Sequence, residues 1–349
     1  MVTRGTIGVV AALVLGGCFP HHPPRSAPRA DIAAISDLHL GDPRSMLDDA
    51  DGRAAVVKQI ADACEQRGVR TLVLNGDVLE LALASEESAF RSARALFADL
   101  NRVRGLERVV VIIGNHDHRL FEYIPDPLPE KLSREYDEGT RFHREILEVA
   151  DRLRVTVVYP GWTVAAQGGS VHFTHGHYFD RVVTPNFDDP ESLAEVEEAN
   201  QDWWSMLNAG GVSTTVRSIY RSAYHFGHHV KGLVDATEGD AEEEDLDVMS
   251  KREAARMSAY LEHLDDPSVM AMVSGHTHSK GGRVAPVVMH GRDVGVFDPG
   301  AFVVAHHKGK PRPHVFYLDT KTGEMRLETI KIPAAVVDAT RERAFETLP

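Results

Sequence analysis

The sequence predicts an α/β protein with a layered core, and three observations carry this. Short apolar runs of strand length alternate with amphipathic stretches of helical length. Three successive runs stop at glycine, aspartate, histidine or asparagine. The chain of 349 residues, 43% hydrophobic and 26% charged, is long enough to bury a substantial core in one or two domains.

The elements follow in order. Residues 1–18, "MVTRGTIGVVAALVLGGC", place Arg4 ahead of an apolar run that closes on small residues and Cys18. The run is shorter than the roughly 20 residues a bilayer span needs and has the form of a secretory leader. Its ending, "LGGC", resembles a bacterial lipobox. That implies a lipid-modified Cys18 and an envelope protein anchored to the membrane on the periplasmic side, with plain secretion as the alternative. Residues 19–30, "FPHHPPRSAPRA", read as a proline-rich linker with solvated histidines, His21 and His22.

The main domain is expected over 31–335, with 336–349 as a C-terminal tail. The strand "IAAIS" runs into "DLHLGD". A helix over Arg53 to Arg67, stopped by Gly68, aligns Val57, Ile60, Ala61 and Cys64 on one face. Cys64 is therefore a core residue, and two cysteines make no disulfide framework. The strand "TLVLN" runs into "GDVLE", a helix aligns Phe90, Ala93, Phe97 and Leu100, and "RVVVII" runs into "GNHDH". In such sheets ligands gather beyond the C-terminal strand ends.

Next come "RVTVVYP" and a hairpin, "WTVAAQGGSVHF", that turns at Gly168–Gly169 and ends in "THGH". Residues of about 179–267 read as a helical insertion, a cap. One helical face there is Val212, Val216, Ile219, Tyr220 and Ala223; another is Met257, Tyr260, Leu261 and Leu264. Between them "EGDAEEEDLD" is a solvated acidic loop. Strands return with "SVMAMVSGHTH", "DVGVFDPGAF", "PHVFYLD" and "EMRLETIKI".

The net charge of −14, with 52 acids against 38 bases, argues against gripping nucleic acid through its phosphates. It leaves phosphate chemistry open, because bound metal ions supply local positive charge. The strand-end groups are Asp37 and His39; Asp77; Asn115, His116 and Asp117; His175 and His177; His276 and His278. Hard oxygen donors mixed with imidazole suit Mn²⁺, Fe, Zn²⁺ or Co²⁺. Residues i and i+2 of an extended segment face one side, so Asp37 and His39 can share a site, as can His276 and His278. The ligands suffice for two ions.

The motifs "DLH", "GDVLE", "GNHD", "THGH" and "GHTH", in this order, resemble the calcineurin-like metallophosphoesterase family. The resemblance implies a four-layer-type β-sandwich flanked by helices. It implies one metal on Asp37, His39, Asp77 and His278, and a second on Asp77, Asn115, His175 and His276. It implies a water bridging the two divalent ions that attacks phosphorus, with His116 either protonating the leaving oxygen or stabilising the phosphoryl group, and Asp117 orienting His116. Glu80 stands where many members have aspartate, and either serves as support. Asp298, in "DPGAF", stands where the family often has asparagine and bears on substrate contacts near the site. His118, His177, His225, His228 and His229 lie outside the ligand set and are candidates for substrate contact.

The expected substrate is a phosphorylated small molecule or lipid, a mono- or diester. The insertion and Glu80 are also similar to UDP-2,3-diacylglucosamine hydrolases, which makes pyrophosphate hydrolysis the alternative. A scaffold that kept the fold without catalysis predicts missing ligands, and none is missing.

Overall fold

In the computed structural model, which describes residues 27–117, 120, 134–177, 251–276, 278, 283–304 and 312–346, two mixed β-sheets pack face to face. The centre of the larger sheet is four parallel strands, β1 (Ile32–Ile35), β2 (Thr71–Asn75), β3 (Arg108–Ile112) and β5 (Arg154–Tyr159). Antiparallel strand β4 (Arg134–Tyr136) borders β5. Strands β11 (His314–Asp319) and β12 (Glu324–Thr329) extend the sheet beyond β1. The second sheet has the order β6 (Gly161–Ala166), β7 (Gly169–Thr174), β8 (Val269–Val273), β10 (Arg292–Asp298) and β9 (Arg283–Met289), parallel across β7, β8 and β10.

The central strands are apolar on both faces because both are covered. Ala33, Ile35, Leu72, Leu74, Val109 and Val111 pack under the helices. Ile32, Ala34, Val73, Val110 and Ile112 face Val171, Phe173, Ala271 and Val273 of the second sheet. Polar residues lock the layers at one end. Ser36 Oγ donates to the Asn75 carbonyl at 2.8 Å, and Asn75 Nδ2 donates to the Thr174 and Val273 carbonyls at 2.9 and 3.2 Å.

Helix α1 (Ala50–Arg67) starts where the Asp49 carboxylate accepts from the Asp51 and Gly52 amides, and ends at Gly68 with φ +87°. Its buried row is Val56, Ile60, Ala63 and Cys64, with Val57 and Ala61 half-buried beside it. The buried face is thus turned slightly from the expected one, and Cys64 is in the core. Helix α2 (Glu86–Leu100), capped by Ser85, buries all four expected residues. Phe97 meets Phe142 of the short helix α3 (Arg141–Ile146) edge to face at 5.5 Å. Helix α4 (Lys251–His263) buries Met257, Tyr260 and Leu261 as expected. The remainder of the expected insertion lies mostly outside the described residues, as do residues 1–26.

Several elements depart from the sequence expectation; β4 and α3 have no counterpart in it. The hairpin turns on Gln167–Gly168, one residue earlier. Strand β9 is not expected from the sequence, because Pro286 interrupts its pattern; proline is tolerated there because β9 is an edge strand. The C-terminal segment is not a tail but largely helix α5 (Ala334–Glu346), with Val336, Val337 and Ala344 in the core. No helix among the described residues is long and apolar enough to cross a membrane.

One buried group ties α4 to the second sheet. His172 of β7 lies 2.8 Å from Thr163 Oγ1 through Nδ1 and 3.1 Å from the Tyr260 hydroxyl through Nε2. Burial pushes its pKa down to about 4. A histidine depressed in the folded state contributes stability that is present above its unfolded pKa and lost as pH falls toward the folded one. Stability is therefore expected to fall below pH 6.5, by about 2 kcal/mol at pH 5 from this group. Urea midpoints at pH 7 and pH 5 check this: His172→Gln should show the smaller acid loss.

Candidate metal centre

The ends of β1, β2 and β3 from one sheet and of β7 and β8 from the other meet at one edge of the sandwich. Asp37, His39, Asp77, His276 and His278 leave these ends with φ of +54°, +46°, +46°, +70° and +47°. Aspartate and histidine tolerate this left-handed region better than most residues, yet each such position costs on the order of 1–3 kcal/mol. This corrects the expected geometry. Asp37 and His39 share a site through left-handed turns, not through the pleat of an extended strand, and the same holds for His276 and His278.

The motif glycines are required by space. A Cβ on Gly114 would lie 2.3 Å from Asp77 Oδ1, and one on Gly275 would lie 1.9 Å from Ser36 Oγ and 2.3 Å from Asp37 Oδ2. The carboxylates occupy the room a side chain would need.

Two groups of donors result. Ligand atoms of Asp37, His39, Asp77 and His278 lie within 4.8 Å of one another, with His39 Nε2 and His278 Nε2 2.9 Å apart. Atoms of Asp77, His175 and His276 form the second group at the same limit, and Asn115 Oδ1 lies 3.0 Å from His175 Nε2. Asp77 belongs to both. Its Oδ1 accepts from the His116 amide at 2.8 Å. Its Oδ2 is buried and makes no hydrogen bond among the described residues, 3.1 Å from His175 Nε2 and 3.6 Å from His39 Nε2. A buried carboxylate oxygen left without a hydrogen bond between two imidazoles fits a metal ligand. All seven residues expected to hold metal are thus brought together.

The surrounding contacts aim the imidazoles. His175 Nδ1 donates to the Asn75 carbonyl at 3.3 Å, and His39 Nδ1 donates to Glu80 Oε2 at 2.9 Å. These acceptors carry no proton, so each Nε2 turns a lone pair toward the centre. Burial opposes the charge on Asp77, but His175 and His116 hold its carboxyl well below the usual range. Burial likewise opposes charge on Asp37, which the hydrogen bond from His278 keeps below its ordinary value. Burial disfavours the His116 cation, yet Glu80 and Asp77 push its pKa up to about 10.

The expectation that Asp117 orients His116 is corrected. Asp117 accepts from the amides of Val78, Leu79 and Gly114 at 3.1, 2.7 and 2.9 Å, so it binds the β2 turn to the β3 turn. It is Glu80 that holds His116, with Nδ1 2.8 Å from Oε1. The Glu80 carboxylate reaches two imidazoles, with Oε2 near both His39 and His116. Asp298 ends β10 buried and accepts from the Gly300 amide at 2.7 Å, which shapes a turn. His177 is buried beside His175, rings 5.7 Å apart. His118, His225, His228 and His229 lie outside the described residues.

Asn75 is readable from sequence only as the last strand residue on the face of Val73.

The family model described as calcineurin-like phosphoesterase matches residues 30–280. Among solved structures, the chain is similar to a dimetal phosphatase from Danio rerio (11% identity, 88% of this chain and 100% of that one, TM-score 0.40). It is also similar to the phosphoesterase Yfce from E. coli (13%, 86% and 99%, 0.30) and to Vps29 from Entamoeba histolytica complexed with zinc (12%, 86% and 99%, 0.33). Likeness at these scores adds nothing about activity. No curated protein matches the sequence.

Because Asp77 serves both donor groups, Asp77→Asn should lower the divalent metal held by the reloaded protein more than Asn115→Ala, which touches one group. Elemental analysis per folded chain reads this. Equal losses in the two variants would contradict a shared ligand.

Proposed function

This chain belongs to the calcineurin-like phosphoesterase family and is a hydrolase of phosphoester bonds, and from that premise we propose that it cleaves phosphate mono- or diesters with two divalent ions. One ion would be held by Asp37, His39, Asp77 and His278, and the other by Asp77, Asn115, His175 and His276. The observation that carries the reading is the buried Asp77 Oδ2, facing His39 and His175 at once. Two ions bound there supply Lewis acidity and lower the pKa of water. Mn²⁺, Fe and Zn²⁺ all suit the donors.

The chain's own residues do the rest. Glu80 fixes the Nδ1 proton of His116, so Nε2 is the atom that would exchange a proton with the leaving oxygen. Asp117 is a positioning residue for the two turns and carries no proton in this scheme. The finer alternative, a UDP-2,3-diacylglucosamine-type pyrophosphate hydrolase, is supported by Glu80 and opposed by the secretory form of the N-terminus. For location, we propose a lipid on Cys18, with linker 19–30 spacing an acidic domain from an anionic membrane surface.

Turnover of p-nitrophenyl phosphate and its bis ester by Mn²⁺-reloaded full chain tests the activity; no turnover of either would count against it. His116→Ala should keep its metal and lose about 10²–10⁴ in kcat, less with a better leaving group. Metal lost along with activity would make His116 a ligand instead. Cys18→Ser should leave the membrane fraction or stay unprocessed, and mass spectrometry of the mature N-terminus reads it directly. An unmodified terminus beyond Cys18 would mean plain secretion.

A further inference from the structure

We propose that the domain edge opposite the metal centre is the face turned toward the membrane. The anchored chain then takes a water-soluble phosphoester from the aqueous side, and not a phospholipid of the bilayer that holds it. This rests on the phosphoester-hydrolase reading and on a lipid at Cys18, and it narrows the substrate class.

Strand direction sets the two ends apart. β1, β2 and β3 run parallel, and Asp37, Asp77 and Asn115 follow their C-terminal ends. The chain enters β1 at the other end. From Asp31 to Asp37 an extended backbone rises about 20 Å. Tether and metal centre thus lie at opposite edges of one sheet.

The entering residues are fixed to the domain. The Ala30 amide donates to the Arg67 carbonyl at 3.1 Å, at the end of α1. Arg326 Nη2, on β12, donates to the Pro28 and Arg29 carbonyls at 2.7 and 3.1 Å. The Asp31 carboxylate accepts from the Thr320 amide at 2.8 Å and from its hydroxyl at 2.5 Å. The Arg70 amide donates to the Asp31 carbonyl at 3.0 Å, and Ala30 is buried. The linker expected to reach residue 30 is therefore shorter: from Pro28 onward the chain belongs to the domain.

Reach then decides the orientation. Residues 19–28 span at most about 35 Å when fully extended, and about 31 Å as a polyproline helix. A folded body of about 300 residues has a radius of gyration of about 19 Å, so it is about 50 Å across. Turning the metal edge to the bilayer carries Pro28 to the far side of that body, beyond the tether. Charge agrees with this. The net charge of −14 repels the domain as a whole from anionic headgroups. The loops that open β2, β3 and β5 locally reverse the sign: Arg70, Arg102, Arg104 and Arg152 stand exposed there, with Glu107 and Asp151 among them.

The test uses Mn²⁺-reloaded full chain, lipidated at Cys18, in vesicles of phosphatidylethanolamine and phosphatidylglycerol that carry a fluorescent acceptor on a headgroup. Cys64 is buried and Cys18 is blocked by its lipid, so a maleimide donor goes to one introduced cysteine. Lys321→Cys places it in the exposed β11–β12 turn, beside Thr320 at the tether edge. Glu87→Cys places it in the exposed first turn of α2 at the metal edge, where Ser88 Oγ donates to the Gly41 carbonyl at 3.5 Å. Energy transfer should be severalfold stronger from Lys321→Cys. The difference should shrink once a Gly/Ser stretch of about 40 residues, with an r.m.s. span of about 35 Å, is inserted after Pro24. In unlabelled vesicles containing phosphatidic acid, the anchored chain should hydrolyse dissolved p-nitrophenyl phosphate or its bis ester and spare the phosphatidic acid. Equal transfer from the two labels, or stronger transfer from Glu87→Cys, would overturn the orientation. Hydrolysis of phosphatidic acid in the anchoring bilayer would overturn the substrate class. A mature chain without lipid on Cys18 would overturn the anchor, and this orientation with it. No turnover of either dissolved ester, with the two labels still unequal, would overturn the hydrolase reading alone.

Discussion

A carboxylate buried at Asp77 is the constraint around which the rest is arranged. An unpaired charge taken out of water carries a penalty of several kcal/mol. Here it is met by the His116 amide on one oxygen and by two imidazoles facing the other. Those imidazoles need aim, which Glu80 and the Asn75 carbonyl provide. Asn75 in turn is held by two carbonyls of the second sheet. The sandwich and the centre are thus one network: the polar lock between the sheets is also the mount for His175.

Backbone strain is concentrated at the same edge. Five of the donors sit in the left-handed region, at a combined cost comparable with a domain's whole net stability if each lies near the middle of its range. The apolar layers above and below offset it. Strands buried on both faces, β1 to β3, make their ends rigid, so turns that a free chain would avoid are imposed by packing. Glycines at 114 and 275 leave room for carboxylates that would collide with any Cβ.

Proton chemistry and metal binding meet at Glu80. Its Oε2 lies 2.9 Å from Nδ1 of His39, a candidate ligand, and 2.8 Å from Nδ1 of His116, which Oε1 also meets at 2.8 Å. A change in either imidazole is felt by the other through a single buried carboxylate. Shortening that side chain to aspartate would make it hard to span both, which gives the glutamate a physical reason here.

Much was legible from sequence because it depends on local rules. Strand-length apolar runs, the helix stop at Gly68 and the helical row from Phe90 to Leu100 are short-range effects. So is the delivery of Asp37, Asp77, Asn115, His175 and His276 to strand ends, since a run of apolar residues that stops at a polar one states where burial stops. Other features waited on the tertiary structure. Edge strand β9 hid behind Pro286, because tolerance of proline depends on one side of the strand having no neighbour. The helix at 334–346 has no strong face of its own and is held by packing. His116 is held by Glu80, 36 residues away, which reaches it through space, and the adjacent Asp117 turns to backbone amides instead. Sequence determines which groups are delivered to the edge; only the packing of two sheets decides which of them touch, because those contacts span strands far apart along the chain.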